Sequence, residues 1–390
     1  MNFPVRPSRN SDNQMSNKTV KSEYARAGVD YSKIEPFKMA MVNAGKRTLA
    51  FPNKRGVYVE PATLGAHGVA YRYVRSTPHL WCATQEGLGN KNWIAEWMYQ
   101  HAGTGKTYYE GIGIDTALMA ANDVICQGAL PVIYTDEVAA GDSEWFMDEK
   151  RSNDLAESFY QACKTCGMAL PAGESPALRY LVKAEPPVRS APSLSGCVIG
   201  IIAPPEKMVT GEKLAVGDRI IGVTSSGLHA NGVSLVIHQA LKLKDKFLHQ
   251  LPNGRTLGEE ALIPTRSYVG LVEALQESGV EIHGLLAGTG GGLAKIAYAK
   301  KPFTYRVKRW VSEIPPLFQF MREIGVSLED CLTTFNWGIG FYVFVPEKEV
   351  DRTIETGQKT GYELLELGQV EQGERRVIFE PEKITLAAIK

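Results

Sequence analysis

The chain has 390 residues, of which 44% are hydrophobic and 22% charged, with 43 acidic and 43 basic side chains. This length predicts two domains, the composition is that of an ordinary globular chain, and the longest apolar runs are too short to span a bilayer. A formal net charge of zero argues against a general phosphate-backbone binder, which carries a basic surplus to displace counterions, so neither nucleic acid nor membrane is an expected partner.

Residues 1–22 are polar and carry neither a signal-peptide apolar core nor a heptad pattern, which reads as a disordered tail on a cytoplasmic protein. In residues 23–205, β-rich runs at 80–84, 131–135 and 197–203 alternate with helical patterns at 93–99, 116–129 and 154–168. Pro204-Pro205 ends the last strand and marks a domain boundary near residue 205. The second half, 206–390, predicts a strand at 220–224, helices at 232–243 and 265–278, a glycine-rich turn at 288–292 and strands at 337–345. The whole reads as mixed α and β.

The segment from Gly111 to Asp136 carries the strongest chemical signal. Asn122-Asp123 interrupts an otherwise apolar helix, where Asn and Asp are intrinsically poor and a buried carboxylate needs a cation or donors. Asp115 precedes it at the expected helix start and Asp136 follows a strand, so three hard oxygen ligands could converge on Mg²⁺ and, through it, a triphosphate. The structural alternative makes Asp115 an N-cap and Asp123 a paired core carboxylate.

Several turns carry more polar groups than turns need. In Thr84-Gln-Glu-Gly-Leu-Gly-Asn-Lys91 the amides around Gly87 and Gly89 are suited to phosphate, with Lys91 to neutralise charge and Glu86 to take the metal. Gly173-Glu174-Ser175 presents a carboxylate, Ser225-Ser-Gly-Leu-His229-Ala-Asn231-Gly an imidazole and an amide, and Thr289-Gly290-Gly291-Gly292 bare backbone amides. Together these suggest a phosphate-ester site. Gly103-Thr-Gly105-Lys-Thr107 is not a P-loop, because Gln100 stands where the first glycine is required and a helix precedes it. The single CxxC, Cys163-Lys-Thr-Cys166, lacks a second pair at zinc spacing, so the cysteines imply buried thiols in a reducing compartment.

These turns occur in a fixed order with Tyr24-Ala-Arg-Ala-Gly-Val-Asp30, Ala139-Ala-Gly141, Pro264-Thr-Arg-Ser-Tyr268 and Thr334-Phe-Asn-Trp-Gly-Ile-Gly340. From about residue 24 to 380 the chain resembles the aminoimidazole ribonucleotide (AIR) synthetase family, the phosphoribosylformylglycinamidine cyclo-ligases. The resemblance implies a two-domain α+β fold whose N-terminal domains pair across a homodimer, closing a β-barrel with ATP near the interface. It also implies ATP-dependent ring closure of formylglycinamidine ribonucleotide, with ATP and Mg²⁺ as cofactors. Glu86, Asp115 and Asp123 match its metal positions. Gly87, Gly89, Lys91, Asn122 and Asp136 join them on the ATP side. Glu174, Ser175, His229, Asn231, Thr289, Gly290, Gly291 and Gly292 match its substrate side, with Lys91, Glu174 and His229 as catalytic groups.

The chain departs from the family pattern on the substrate side more than on the nucleotide side. Glu86 replaces an aspartate, Ala177 a second carboxylate and Ala287 a histidine; Thr333-Thr-Phe-Asn-Trp337 differs at both ends, and the lid shrinks to Gly65-Ala-His67-Gly68. Two further readings follow: ATP-dependent activation of another amide, carboxylate or phosphate acceptor, and a non-catalytic scaffold. Joint retention of Glu86, Lys91, Asp115, Asp123 and His229 speaks against the scaffold.

Overall fold

A computed structural model describes residues 22–389; apart from Ser22, the tail expected at 1–22 lies outside them. The N-terminal half runs α1 (Glu23–Arg26), α2 (Tyr31–Lys46), β1 (Val57–Val59), β2 (Tyr71–Tyr73), β3 (Leu80–Gly87), α3 (Lys91–His101) and α4 (Ile112–Val124). It continues with β4 (Leu130–Ala139), α5 (Glu149–Cys166), β5 (Ala169–Glu174) and β6 (Ser193–Ile202). Four of its strands form a sheet in the order β3-β6-β4-β5, in which only β4 and β5 are parallel.

The C-terminal half comprises β7 (Arg219–Thr224), α6 (Val233–Ala240), α7 (Leu257–Ala261), α8 (Val269–Glu277), β8 (Gly284–Ala287) and β9 (Phe303–Val307). It ends with α9 (Pro316–Glu323), α10 (Leu328–Thr334), β10 (Ile339–Val345), α11 (Val350–Lys359), β11 (Leu364–Gln372), β12 (Arg376–Phe379) and β13 (Ile384–Ala387). Its seven-stranded sheet has the order β13-β12-β9-β11-β7-β10-β8. Every residue of β10 is buried, as expected of a central strand covered on both faces. The observed architecture is mixed α and β, as expected.

The faces of the N-terminal sheet differ in chemistry. Glu86, Gly196, Asp136 and Gly173 are partners across successive strands, so they lie in one row and share a face. Tyr134, two residues before Asp136, packs on Phe159 of α5, which makes this the helix-covered face. The opposite face carries Trp81, Ala83 and Gln85 opposite Ile201, Ile199 and Cys197. The β1–β2 hairpin covers only part of it, packing Val57, Val59, Tyr71 and Tyr73 near Ile133 and Ile201.

Helix α4 begins and ends earlier than its sequence pattern suggests. A Cβ at Gly113 would come within 2.6 Å of the Phe159 nitrogen and 3.0 Å of the Leu155 carbonyl, so glycine allows α4 to cross α5 closely. Past Val124 the chain tightens into a 3₁₀ turn, Ile125–Gln127, that ends at left-handed Gly128. Asp115 therefore sits inside the first helical turn and not at the N-cap that the structural alternative gave it; the cap is Gly111.

Helix α8 starts at Val269, four residues later than expected, because 263–268 is committed to docking on α4. The Asp115 carboxylate, fully buried, accepts bonds at Oδ1 from Lys91 Nζ (2.8 Å), the Thr265 amide (2.8 Å) and the Thr265 hydroxyl (2.6 Å). Lys91, also fully buried, donates in addition to the Ile263 carbonyl at 2.7 Å. Asn122 donates to the Arg266 carbonyl at 2.9 Å and accepts the Tyr268 amide at 3.0 Å. Burial pushes the Asp115 carboxyl up and the Lys91 ammonium down, each opposed by the other's charge. Lys91→Met should cost about 3–5 kcal/mol by stranding the Asp115 carboxylate, and adding Asp115→Leu should recover most of the loss. Denaturant unfolding of both variants measures this; no recovery in the double variant would place the cost in packing and not in charge.

Candidate functional site

The expected convergence of Asp115, Asp123 and Asp136 does not form, and among the described residues no three His, Cys, Asp or Glu side chains are grouped to hold a metal. The physical reason is the row geometry. Asp115 is consumed by the junction, and Asp136 lies two strands from Glu86, about 10 Å away at ordinary strand spacing. Lys91 is likewise corrected: sealed against Asp115, it does not face solvent or a cleft. Asn122 has both ends of its amide engaged by the Arg266–Tyr268 backbone, so it joins the halves of the chain and is not presented to a nucleotide.

Glu86 and Asp123 do come together. Burial raises both carboxyls, Glu86 is raised further by the neighbouring Asp123 charge, and Lys295 lowers both. Lys295 lies in the 3₁₀ turn Gly292–Ala297, and its ammonium donates to the Thr289 hydroxyl. Two carboxylates suit a Mg²⁺ that retains waters and takes its remaining oxygens from phosphates, so the residues present fit that ion. Gly87 and Gly89 continue from Glu86; Gly89 is left-handed, and a Cβ there would meet nothing within 4 Å, so the turn stays open for a ligand.

The loop 225–231 and the turn 288–292 face each other from the C-terminal half. His229 adopts a left-handed φ of 59° and is buried, with its Nε2 accepting the Ser226 amide at 3.3 Å. That leaves the ring proton on Nδ1. Burial first, then the charges of Lys91 and Arg266, push its pKa down to about 3. A histidine neutral at physiological pH has no imidazolium proton to donate, and with Nε2 bonded within its own loop His229 helps to hold the 225–231 turn. Asn336 holds the same loop, donating to the Gly227 carbonyl at 2.7 Å and accepting the Ser225 hydroxyl at 3.1 Å. The buried Asn231 Nδ2 has no partner among the described residues. Its Oδ1 lies 3.6 Å from where a Cβ on Gly290 would stand.

Asp136, Glu174 and Ser175 meet at a different place, a cavity of about 460 Å³ between α2, the shortened lid and β5. Met41, Val42, Leu49, Leu64, Val69 and Leu170 supply apolar wall, and Lys38 and Lys46 bring positive charge. Apolar lining with a few convergent polar groups is the usual form of a small-molecule site. Gly173 gives the Asp136 carboxyl its room here, since a Cβ would stand 2.0 Å from Asp136 Oδ1 and displace it. Helix α2, Lys38 and Lys295 were missed in the sequence. Spacing alone placed Lys295 three residues past a glycine turn, but nothing local marked it as facing Asp123.

Residues 80–202 match the N-terminal domain, and residues 215–380 the C-terminal domain, of the AIR synthase related proteins. The chain belongs to that family. It is 34% identical over 362 residues to the phosphoribosylformylglycinamidine cyclo-ligase of Pyrococcus horikoshii, covering 93% of this chain and 96% of that protein. The cyclo-ligase of Syntrophus aciditrophicus is 31% identical over 90% of this chain and 96% of its own length. Two solved structures share the fold at low identity. Hydrogenase maturation protein HypE in complex with ATP has a TM-score of 0.55 at 17% identity, covering 85% of this chain and 90% of that one. Thiamine-monophosphate kinase from Stenotrophomonas maltophilia has a TM-score of 0.55 at 16% identity, covering 87% and 96%.

Burial raises the Asp136 carboxyl to about 7, with the charges of Glu174 and Glu137 adding to the shift. The folded state therefore holds a proton that the unfolded chain releases near pH ~4. The stability this provides is complete below that value and is lost as pH rises through about 7. Asp136→Asn should thus gain stability relative to the parent as pH rises from about 5 to about 8. Thermal unfolding of both across that range checks it, and a difference that does not move with pH would contradict the raised carboxyl.

Proposed function

We propose that this chain is an ATP-dependent cyclo-ligase that closes formylglycinamidine ribonucleotide to aminoimidazole ribonucleotide, releasing ADP and phosphate in purine biosynthesis. The observation that carries the reading is similarity to named cyclo-ligases over 90% and 93% of the chain, together with the carboxyls of Glu86 and Asp123 both acted on by Lys295, whose ammonium rests on Thr289. The formyl amide oxygen is a poor leaving group until it takes the γ-phosphoryl from ATP; the amidine nitrogen then attacks that carbon and the C–O bond to phosphate breaks. Phosphoryl transfer asks mainly for positioning and charge neutralisation. Mg²⁺, when bound, would supply part of that neutralisation.

The roles are divided by place. Glu86 and Asp123 hold the metal, with Gly87 and Gly89 leaving the phosphates room. Asn231, Thr289 and the Gly290–Gly292 amides take the substrate's phosphate or reacting group, and neutral His229 keeps their loop in shape. The cavity at Asp136, Glu174 and Ser175 holds a less charged part of a ligand, its apolar wall excluding water. Lys91, Asp115 and Asn122 position these groups by fixing one half of the chain on the other. Six free cysteines fit a reducing, cytoplasmic setting.

A homodimer is part of this proposal. Trp81 and Tyr58 are exposed on or beside the uncovered sheet face, flanked by half-buried Cys197 and Ile199. An apolar sheet face left open in this way suits pairing with a second copy of itself.

Asp123→Asn should abolish Mg²⁺-dependent ADP release and product formation while leaving the unfolding midpoint near that of the parent. Assays with formylglycinamidine ribonucleotide against a panel of other amide and carboxylate acceptors test the substrate as well. A parent that releases ADP only with another acceptor would overturn the assignment. Trp81→Asp should shift the protein from dimer to monomer in sedimentation across a concentration series; an unchanged dimer would place the interface elsewhere.

A further inference from the structure

The carboxylates Glu86 and Asp123 need a phosphate-side cation, and the lysine in the phosphate turn, Lys91, is locked in the buried pair with Asp115. Lys295 occupies the other side. Its ammonium rests on the Thr289 hydroxyl, and its charge acts on Glu86, Asp123 and the Cys126 thiol. The Cys126 sulfur, one helical turn past Asp123, is met by the Ala287 backbone, so the end of α4 adjoins the strand that leads into Thr289. Asp123 and Lys295 therefore approach across the junction of the two halves.

The turn that carries Lys295 is built without side-chain bulk. Gly291 and Gly292 have left-handed φ values of 93° and 53°, and a Cβ at Gly292 would strike the Leu332 carbonyl at 2.2 Å. The Lys295 ammonium rests here on the Thr289 hydroxyl. A cation on one side and two carboxylates on the other describe a place for an anion bridged to a divalent cation.

We propose that Lys295, not Lys91, is the side chain that neutralises the phosphates of the bound nucleotide, reaching them from the C-terminal half across from Glu86 and Asp123. The inference rests on the ATP-dependent reading given above. It makes phosphate binding depend on both halves of the chain being docked, since the metal carboxylates and the ammonium come from opposite sides of the junction. Loss of one charged hydrogen-bond donor to phosphate corresponds to roughly 10- to 100-fold in affinity.

Lys295→Met and Lys295→Arg in the full-length protein test this by calorimetry with Mg²⁺·ATP, with adenosine, and by ADP release. Lys295→Met should weaken Mg²⁺·ATP binding by roughly 10- to 100-fold, leave adenosine binding unchanged and lower ADP release. Lys295→Arg should stay within a few-fold of the parent for all three. Unchanged Mg²⁺·ATP affinity in Lys295→Met overturns the proposal, and so does an equal loss for adenosine, which marks a structural role. If Lys295→Met does not fold, Thr289→Val provides the same comparison by releasing the ammonium from its hydroxyl; unchanged Mg²⁺·ATP affinity there likewise counts against the proposal. A parent that binds Mg²⁺·ATP through Lys295 yet makes no aminoimidazole product would sink the cyclo-ligase reading alone.

Discussion

Lys91 and Asp115 place opposite charges where no water reaches them, and such a pair is tolerated only if its remaining hydrogen-bonding capacity is met. Thr265 and the Ile263 carbonyl meet part of it from the other half of the chain, and Asp115 Oδ2 has no partner among the described residues. The 263–268 segment consequently stays extended, delays α8 and engages Asn122 one helical stretch further along. Arg55 reinforces the joint from another side, pairing with Glu273 of α8 at 2.9 Å. One electrostatic constraint thus fixes how the two sheets face each other.

That docking creates the space between Asp123 and the Thr289–Gly292 turn, and it explains why groups in the phosphate-turn motif of the N-terminal half are not all exposed to ligand. A motif residue can serve the site by holding its walls. Lys91, Asp115 and Asn122 are held in the joint by hydrogen bonds, while burial raises the Glu86 and Asp123 carboxyls, the Asp123 charge raises Glu86 further, and Lys295 opposes both shifts. His229 follows the same logic. Burial first, then the charges of Lys91 and Arg266, keep it neutral, with Nε2 taken by the Ser226 amide and the ring proton on Nδ1.

Two environments for carboxyl groups coexist on one sheet face. Glu86 lies at the open edge strand, and Asp136 lies two strands inward beneath Gly173 with Glu174 beside it. Gly196 stands between them in the row, where a side chain would collide with Tyr134. The separation distinguishes an end at which Glu86 and Asp123 come together from an apolar end with a proton-holding carboxyl. The departures from family pattern at Ala177 and Ala287 fall near these ends and leave the docking joint untouched.

The sequence by itself determined the mixed α and β character and the order of the glycine turns, and it singled out Glu86, Asp123 and the Thr289–Gly292 turn one by one, because turn chemistry and helix interruptions are local. Backbone conformation at Gly113 or Gly173 is legible in the same way, as a residue type that a close approach demands. Which polar groups face a ligand was decided only by the tertiary structure. Lys91 and Lys295 are both lysines next to glycine turns, and no spacing rule tells that one is sealed by Asp115 and by the Ile263 carbonyl from 172 residues away while the other faces a carboxylate across the junction. Helix α2 escaped notice because its apolar positions become a wall only when β5 and the lid stand opposite. Long-range burial, which sets the cost of a charge, is a property of the assembled fold and leaves no local trace in the chain.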